Sequence, residues 1–128
     1  MKAKDLMIGD WVKDLTENRY DRIEDVESRG RVFLENSKTY LFDDEIEFVP
    51  ITREVLEKNG FNPDGTINYL HEIYEAFIIE EDKYDGYLSA NGELGIFLFG
   101  KYHICDIRYV HELQHVLRVI EINKEITI

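Results

Sequence analysis

The sequence predicts an α+β protein: a small rolled β-sheet, a short helix, and a C-terminal antiparallel sheet packed by one long helix. Three observations carry this. Short apolar runs separated by turn-forming residues fill the first third. Asn91-Gly92 stands between two strand-like runs as a hairpin turn. Residues 107–120 hold a single helical stripe, in which Tyr109, Val110, Leu113, Val116, Leu117 and Ile120 fall within an arc roughly 120° wide at about 100° per residue.

In chain order, Gly9-Asp10 is a turn into Trp11-Val12. Strands are then expected at 20–26, 31–35, 39–42 and 45–49, with breaks at Ser28-Arg29-Gly30, Asn36-Ser37 and Asp43-Asp44. Val32/Leu34 and Ile46/Phe48 alternate with polar neighbours as half-buried strands do. Such spacing suits a small barrel, and the opening from Asp5 to Val12 resembles that of Src-homology-3-like barrels. Thr52 is placed to cap a helix over 53–59, and Gly60 to end it in the left-handed conformation with Phe61 folded back on Leu56. Pro63-Asp64-Gly65 reads as a turn, which makes 50–66 a hinge between a β half at 1–49 and a sheet-plus-helix half at 67–128, all within what can be one compact domain. Residues 67–81 fit either a helical stripe or two strands, 69–73 and 76–81; strand composition favours the second. Strands at 87–89, 94–99 and 102–105 precede the long helix, with Asp106 as its N-cap, and 124–128 forms a last short strand or tail.

Composition narrows the function. A 44% hydrophobic chain of 128 residues supports a packed core. A formal net charge of −12 disfavours a dedicated nucleic-acid binder and attachment to anionic membranes. The single Cys105 fits a reducing compartment, and neither a signal-peptide-like start nor a membrane-length apolar run is present, so a cytoplasmic location is expected.

His111-Glu112-Leu113-Gln114-His115 matches the zinc-peptidase pattern H-E-x-x-H. Two histidines one turn apart supply ligands and the glutamate a general base. The longer form of the pattern needs glycine at 118 and histidine at 121, where the chain has Arg118 and Glu121. A metallopeptidase would therefore use His111, His115 and Glu121 with Glu112 as base, or recruit His71, His103, Cys105 or Glu93 from upstream. The helical wheel sets both histidines on the polar face, about 160° from the middle of the apolar arc, which favours solvent-facing histidines and no metal. No glycine-rich phosphate loop, paired-cysteine motif or nucleophile elbow occurs. The runs Asp43-Asp44-Glu45 and Glu80-Glu81-Asp82 read as solvated loop charge.

Three segments, Leu6–Val12, Ile51-Thr52 with Leu56–Phe61, and Ile107–His115, resemble a family of small uncharacterised bacterial proteins, often of prophage or mobile-element type, that end in a Tyr-Val-His-x-Leu-Gln helix. In that family the helix usually has glutamine in place of Glu112 and asparagine in place of His115. The resemblance thus implies that the zinc pattern is incidental here. It brings no activity with it. The expected function is a non-enzymatic interaction or scaffold protein that works through a protein partner or self-association. A zinc metallopeptidase and an acidic decoy for a DNA-binding protein are the alternatives. No cofactor is expected outside the zinc alternative.

Overall fold

A computed structural model of the chain describes residues 6–128; the expectations that involve Asp5 and the residues before it lie outside them. The described residues are mostly sheet: one four-stranded and one five-stranded antiparallel sheet, with few helices. The chain divides into two compact units, residues 1–49 with 109–115 and residues 50–108 with 116–128. No helix among the described residues is long and apolar enough to cross a membrane.

In the first unit, β1 (Trp11–Asp14), β2 (Arg19–Val26), β3 (Val32–Leu34) and β4 (Ile46–Phe48) form a sheet of order β3-β2-β1-β4. The alternation read from the sequence is real: Val12, Ile23, Val32, Leu34 and Ile46 all point into one apolar cluster with Leu6 and Leu41. Buried carboxylates fix the turns. Asp14 Oδ1 accepts from Thr16 N at 3.0 Å and from the Thr16 hydroxyl at 2.6 Å in the β1–β2 turn, and Asp21 accepts from both the backbone and the side-chain amide of Asn36 at 3.0 Å. The strand expected at 39–42 is reduced to one bridge, Val32–Leu41. A 3-10 turn over Asp43–Glu45, with Glu45 Oε1 accepting from Phe42 N at 3.0 Å, ends the extended run before a second pairing can form.

The second unit begins with α1 (Arg53–Lys58), capped by the Thr52 hydroxyl, which accepts from Val55 N at 3.2 Å. It ends as its sequence requires. Gly60 lies at φ +80°, its N–H donating to Glu57 O at 3.1 Å, and Phe61 N donates to Leu56 O at 3.0 Å. Then β5 (Asn62–Tyr69), β6 (Glu72–Glu80), β7 (Tyr84–Leu88), β8 (Leu94–Leu98) and β9 (Tyr102–Ile107) run as a meander, each paired with the next.

Two expectations for this region need correction. Pro63-Asp64-Gly65 is not a turn but a bulge inside β5, where Gly65 at φ +80° absorbs the extra residue. The turn lies at Leu70-His71, both with positive φ (49° and 67°), in the manner of a two-residue hairpin loop built without the usual Asn-Gly. The strands at 67–81 are therefore longer than the sequence indicates and begin earlier.

The helix α2 spans Val110–Val119, shorter than the expected 107–120, because Asp106 and Ile107 are committed to pairing with Gly95 and Leu94 in the sheet. Asp106 is thus a strand residue, not an N-cap. Residues 124–128 form no strand. Their anchor is Asn59, which donates from Nδ2 to Thr127 O at 2.7 Å and to Val55 O at 2.7 Å, and accepts from Thr127 N at 2.8 Å; Ile126 beside it is buried. One side-chain amide stands in for a strand partner.

Because Asn59 is buried and engages two backbone groups of the tail, Asn59→Ala is expected to lower unfolding stability by about 1–3 kcal/mol, measured by urea denaturation. An unchanged midpoint would mean that the tail is not held by this amide.

Candidate functional site

The H-E-x-x-H residues are occupied by the fold of the first unit. Val110 opens α2, so Glu112 is its third residue, and the Glu112 carboxylate accepts from Tyr109 N at 3.0 Å, the returning half of a capping box. Gln114 reaches the turn before β1, accepting from Trp11 N at 3.1 Å and donating to Gly9 O at 2.9 Å. His115 Nε2 lies 2.7 Å from Oδ2 of the fully buried Asp10, an oxygen that also accepts from Met7 N at 2.8 Å. The 7–11 turn is thus pinned through its backbone and its aspartate by one face of the helix.

The polar-face assignment of His111 is wrong. His111 is only 4% exposed, its ring 4.4 Å from that of Phe48 and stacked on Tyr109 at 5.9 Å. Gln114 is buried as well. Leu113 and Leu117 are buried as the wheel requires, whereas Tyr109, Val116 and Ile120 are half-buried. The wheel errs on one flank, because within the first unit the helix packs against a polar turn as well as apolar side chains, and a turn can be met by histidine and glutamine. The two histidine rings stand edge to face with centroids 5.6 Å apart. Glu121 belongs to the second unit, exposed, at φ +61° just past the helix end. Among the described residues, no three His, Cys, Asp or Glu side chains form a group that could hold a metal ion. For a zinc site, Glu112 would have to leave its cap and His115 its aspartate.

The second unit carries a different kind of site. Cross-strand partners share a face, so two rows mark one side of the meander: Ala76–Tyr87–Gly95–Asp106, and Ile78–Asp85–Phe97–His103. The alternate rows, Glu75–Leu88–Leu94–Ile107 and Phe77–Gly86–Ile96–Cys105, supply the buried apolar side, with Phe77, Leu88, Leu94, Ile96 and Ile107 nearly inaccessible. The first side is open. It holds a groove of about 510 Å³ lined by Ile67, Tyr69, Tyr74, Tyr87, Phe97 and His103 together with Glu93, Lys101 and Asp106.

The groove is electronegative. Its bond to Glu72, then burial, then the Glu72, Glu93 and Asp106 charges raise the Tyr74 phenol above its ordinary value. Burial, then Asp85 and Asp64, raise that of Tyr87. Burial first, and Asp64 second, push the Asp85 carboxyl up. His103 Nε2 lies 2.9 Å from Asp106 Oδ1, and Arg108 lies 3.2 Å from Glu93. Of the upstream residues considered as zinc ligands, His103 and Glu93 thus line this groove; Cys105 faces the other side of the sheet, and His71 sits in the β5–β6 turn.

The sequence contained one signal for the groove. The Asn91-Gly92 turn sets the register that places Tyr87 opposite Gly95, and with it the face shared by Asp85 and Phe97. No family model, no curated protein and no solved structure matches the chain.

A carboxyl whose folded value lies above its unfolded value destabilises the fold when ionised. That cost is full above the folded value and absent below the unfolded one. Asp85→Asn is therefore expected to raise the melting temperature at neutral pH, the gain shrinking as pH falls through the carboxylate range. A loss of stability at neutral pH, or a gain independent of pH, would contradict the electrostatic description of the groove.

Proposed function

We propose that the chain is a non-enzymatic protein-interaction module, with the open face of the β5–β9 sheet as the surface on which a partner seats. The observation that carries this reading is the aromatic groove: tyrosines, a phenylalanine and a histidine lie on a sheet face left open while the opposite face is buried. Aromatic side chains supply large contact area at small entropic cost and are enriched in interface cores. The exposed Ile67, Tyr69 and Leu70 extend the apolar surface to one end of the sheet.

The face is favoured over the sheet edges. Edge strand β5 carries its extra residue at Asp64-Gly65, and edge strand β9 carries one at Ile104. Bulges on edge strands are a device that discourages pairing with another chain. An acidic decoy is less well supported, because it requires carboxylates strung along one face, whereas Asp43–Glu45 and Glu80–Asp82 belong to different units. We further infer that the first unit is a Src-homology-3-like barrel. Support comes from the return of β4 to pair with β1, and from the bridge at Leu41 that continues the sheet beyond β3. The lone cysteine fits a cytoplasmic setting, and the resemblance of the opening and closing segments fits a mobile-element gene set.

Ile67 and Tyr69 are exposed, so replacing both with serine should leave stability within about 0.5 kcal/mol. In a pull-down from host lysate, the wild-type chain is expected to retain a partner, or light scattering to show self-association, that the Ile67→Ser/Tyr69→Ser chain loses. A partner held equally by both chains, or no partner together with a strictly monomeric wild type, would remove this reading.

A further inference from the structure

Two glycines at the groove bring carboxylates and aromatic side chains together. Gly95 has no Cβ; the point where one would stand is 3.0 Å from Asp106 Oδ1 and 3.1 Å from the Phe97 ring. Gly100, at φ +68° in the turn between β8 and β9, repeats the arrangement: its absent Cβ would stand 2.8 Å from Asp85 Oδ2 and 3.6 Å from the Tyr87 hydroxyl. At both places bare backbone leaves room that a carboxylate oxygen and an aromatic residue border, the Phe97 ring at Gly95 and the Tyr87 hydroxyl at Gly100. A side chain at either glycine would push them apart, and at Gly100 the backbone conformation itself favours glycine.

Carboxylate with a phenol oxygen, or carboxylate with a ring, is the chemistry that receives a guanidinium or ammonium, the oxygens taking its N–H bonds and a ring its charge. The charges nearby are lopsided. Asp85, Glu93 and Asp106 are joined by Glu72 beside Tyr74 and by Asp64, close enough to act on Asp85. Against them stand Lys101 on the groove wall, Arg108 held to Glu93, and His103 held to Asp106. Among the described residues, neither a hydrogen bond nor an ion pair engages the Asp85 carboxylate. A carboxyl that burial disfavours and that no donor among the described residues engages is a recurrent mark of a site built to receive something.

We propose, building on the reading of this groove as a docking face, that its occupant is a basic segment of a partner polypeptide, with an arginine or lysine side chain entering at Asp85 and Tyr87 and a second cation served by Asp106 and Phe97. The acidic surplus of the whole chain, a formal −12, draws such a segment in from a distance, and the groove selects it at contact.

The probe is a short fluorescein-labelled Gly/Ser peptide carrying a pair of arginines, titrated by anisotropy at moderate salt against the full chain. Its counterpart carries citrulline, which keeps the shape and removes the charge. Saturable binding of the arginine peptide is expected, weakened roughly tenfold or more by citrulline and equally by Asp85→Asn. Because Asp85→Asn is expected to be the more stable protein at neutral pH, its loss of binding would not be unfolding. Asp43→Asn/Asp44→Asn, which removes twice as much formal charge from the first unit, is expected to change affinity by less than about twofold. Equal binding of the citrulline peptide, or an equal loss with the Asp43/Asp44 variant, would overturn the proposal, the latter by showing only diffuse attraction to an acidic protein. If the arginine peptide does not bind while a lysate partner still depends on Ile67 and Tyr69, the cationic occupant is wrong and the docking face stands. A lysate partner indifferent to those two residues removes the face itself.

Discussion

Alternation across the β5–β9 sheet is the constraint on which the second unit depends. Successive residues of a strand point to opposite faces, so each choice of register assigns a whole row of side chains to core or to solvent. The register set at Asn91-Gly92 sends Leu88, Leu94 and Ile96 inward and Tyr87 and Phe97 outward. Gly86 lies among the buried residues, where a Cβ would stand 2.9 Å from Ile79 and 3.1 Å from Leu94; Gly95, one strand over, lies under the open face. One glycine tightens the core and the other shapes the groove. A one-residue slip would exchange their roles and bury Asp85.

The first unit makes the opposite point about motifs. His111, Glu112 and His115 have the identities and spacing of a metallopeptidase, yet each is engaged by the fold. The His111 ring packs on Phe48, Glu112 caps the helix at Tyr109, and His115 bonds to buried Asp10. Gln114, which the zinc pattern treats as a free position, makes two bonds to the backbone of the 7–11 turn. Spacing alone does not separate the two uses, because a helix face that grips a turn and one that grips a metal both need polar side chains at i and i+4.

Much of the fold is legible where local chemistry decides it. Thr52, Gly60 and Phe61 mark both ends of α1, and Gly92 marks the β7–β8 connection, because caps and hairpins depend on residues close in sequence. Legibility fails where a distant partner decides. Leu70 and His71 adopt left-handed backbone because β5 and β6 must turn there, and neither residue advertises it. Asp106 has the chemistry of an N-cap and is claimed by Gly95. The burial of His111 depends on Phe48, more than sixty residues earlier in the chain. The groove is half-legible: the Asn91-Gly92 turn fixes one pairing, but the convergence of its tyrosines with Asp85 and Asp106 follows only from pairing across four strands.

The two polar constellations therefore differ in what they have left to give. Side chains around the 7–11 turn are spent on that turn, whereas the Asp85 carboxyl, which burial pushes up, has no hydrogen-bond or ion-pair partner among the described residues. The most direct measurement of that contrast is a two-dimensional amide NMR titration of the full chain with the arginine peptide, because glycines report on both places. The Gly95 and Gly100 resonances should shift with saturation while Gly9 stays fixed. Movement of Gly9 with Gly95 and Gly100 still would place the functional surface at the helix and turn, and would contradict the account.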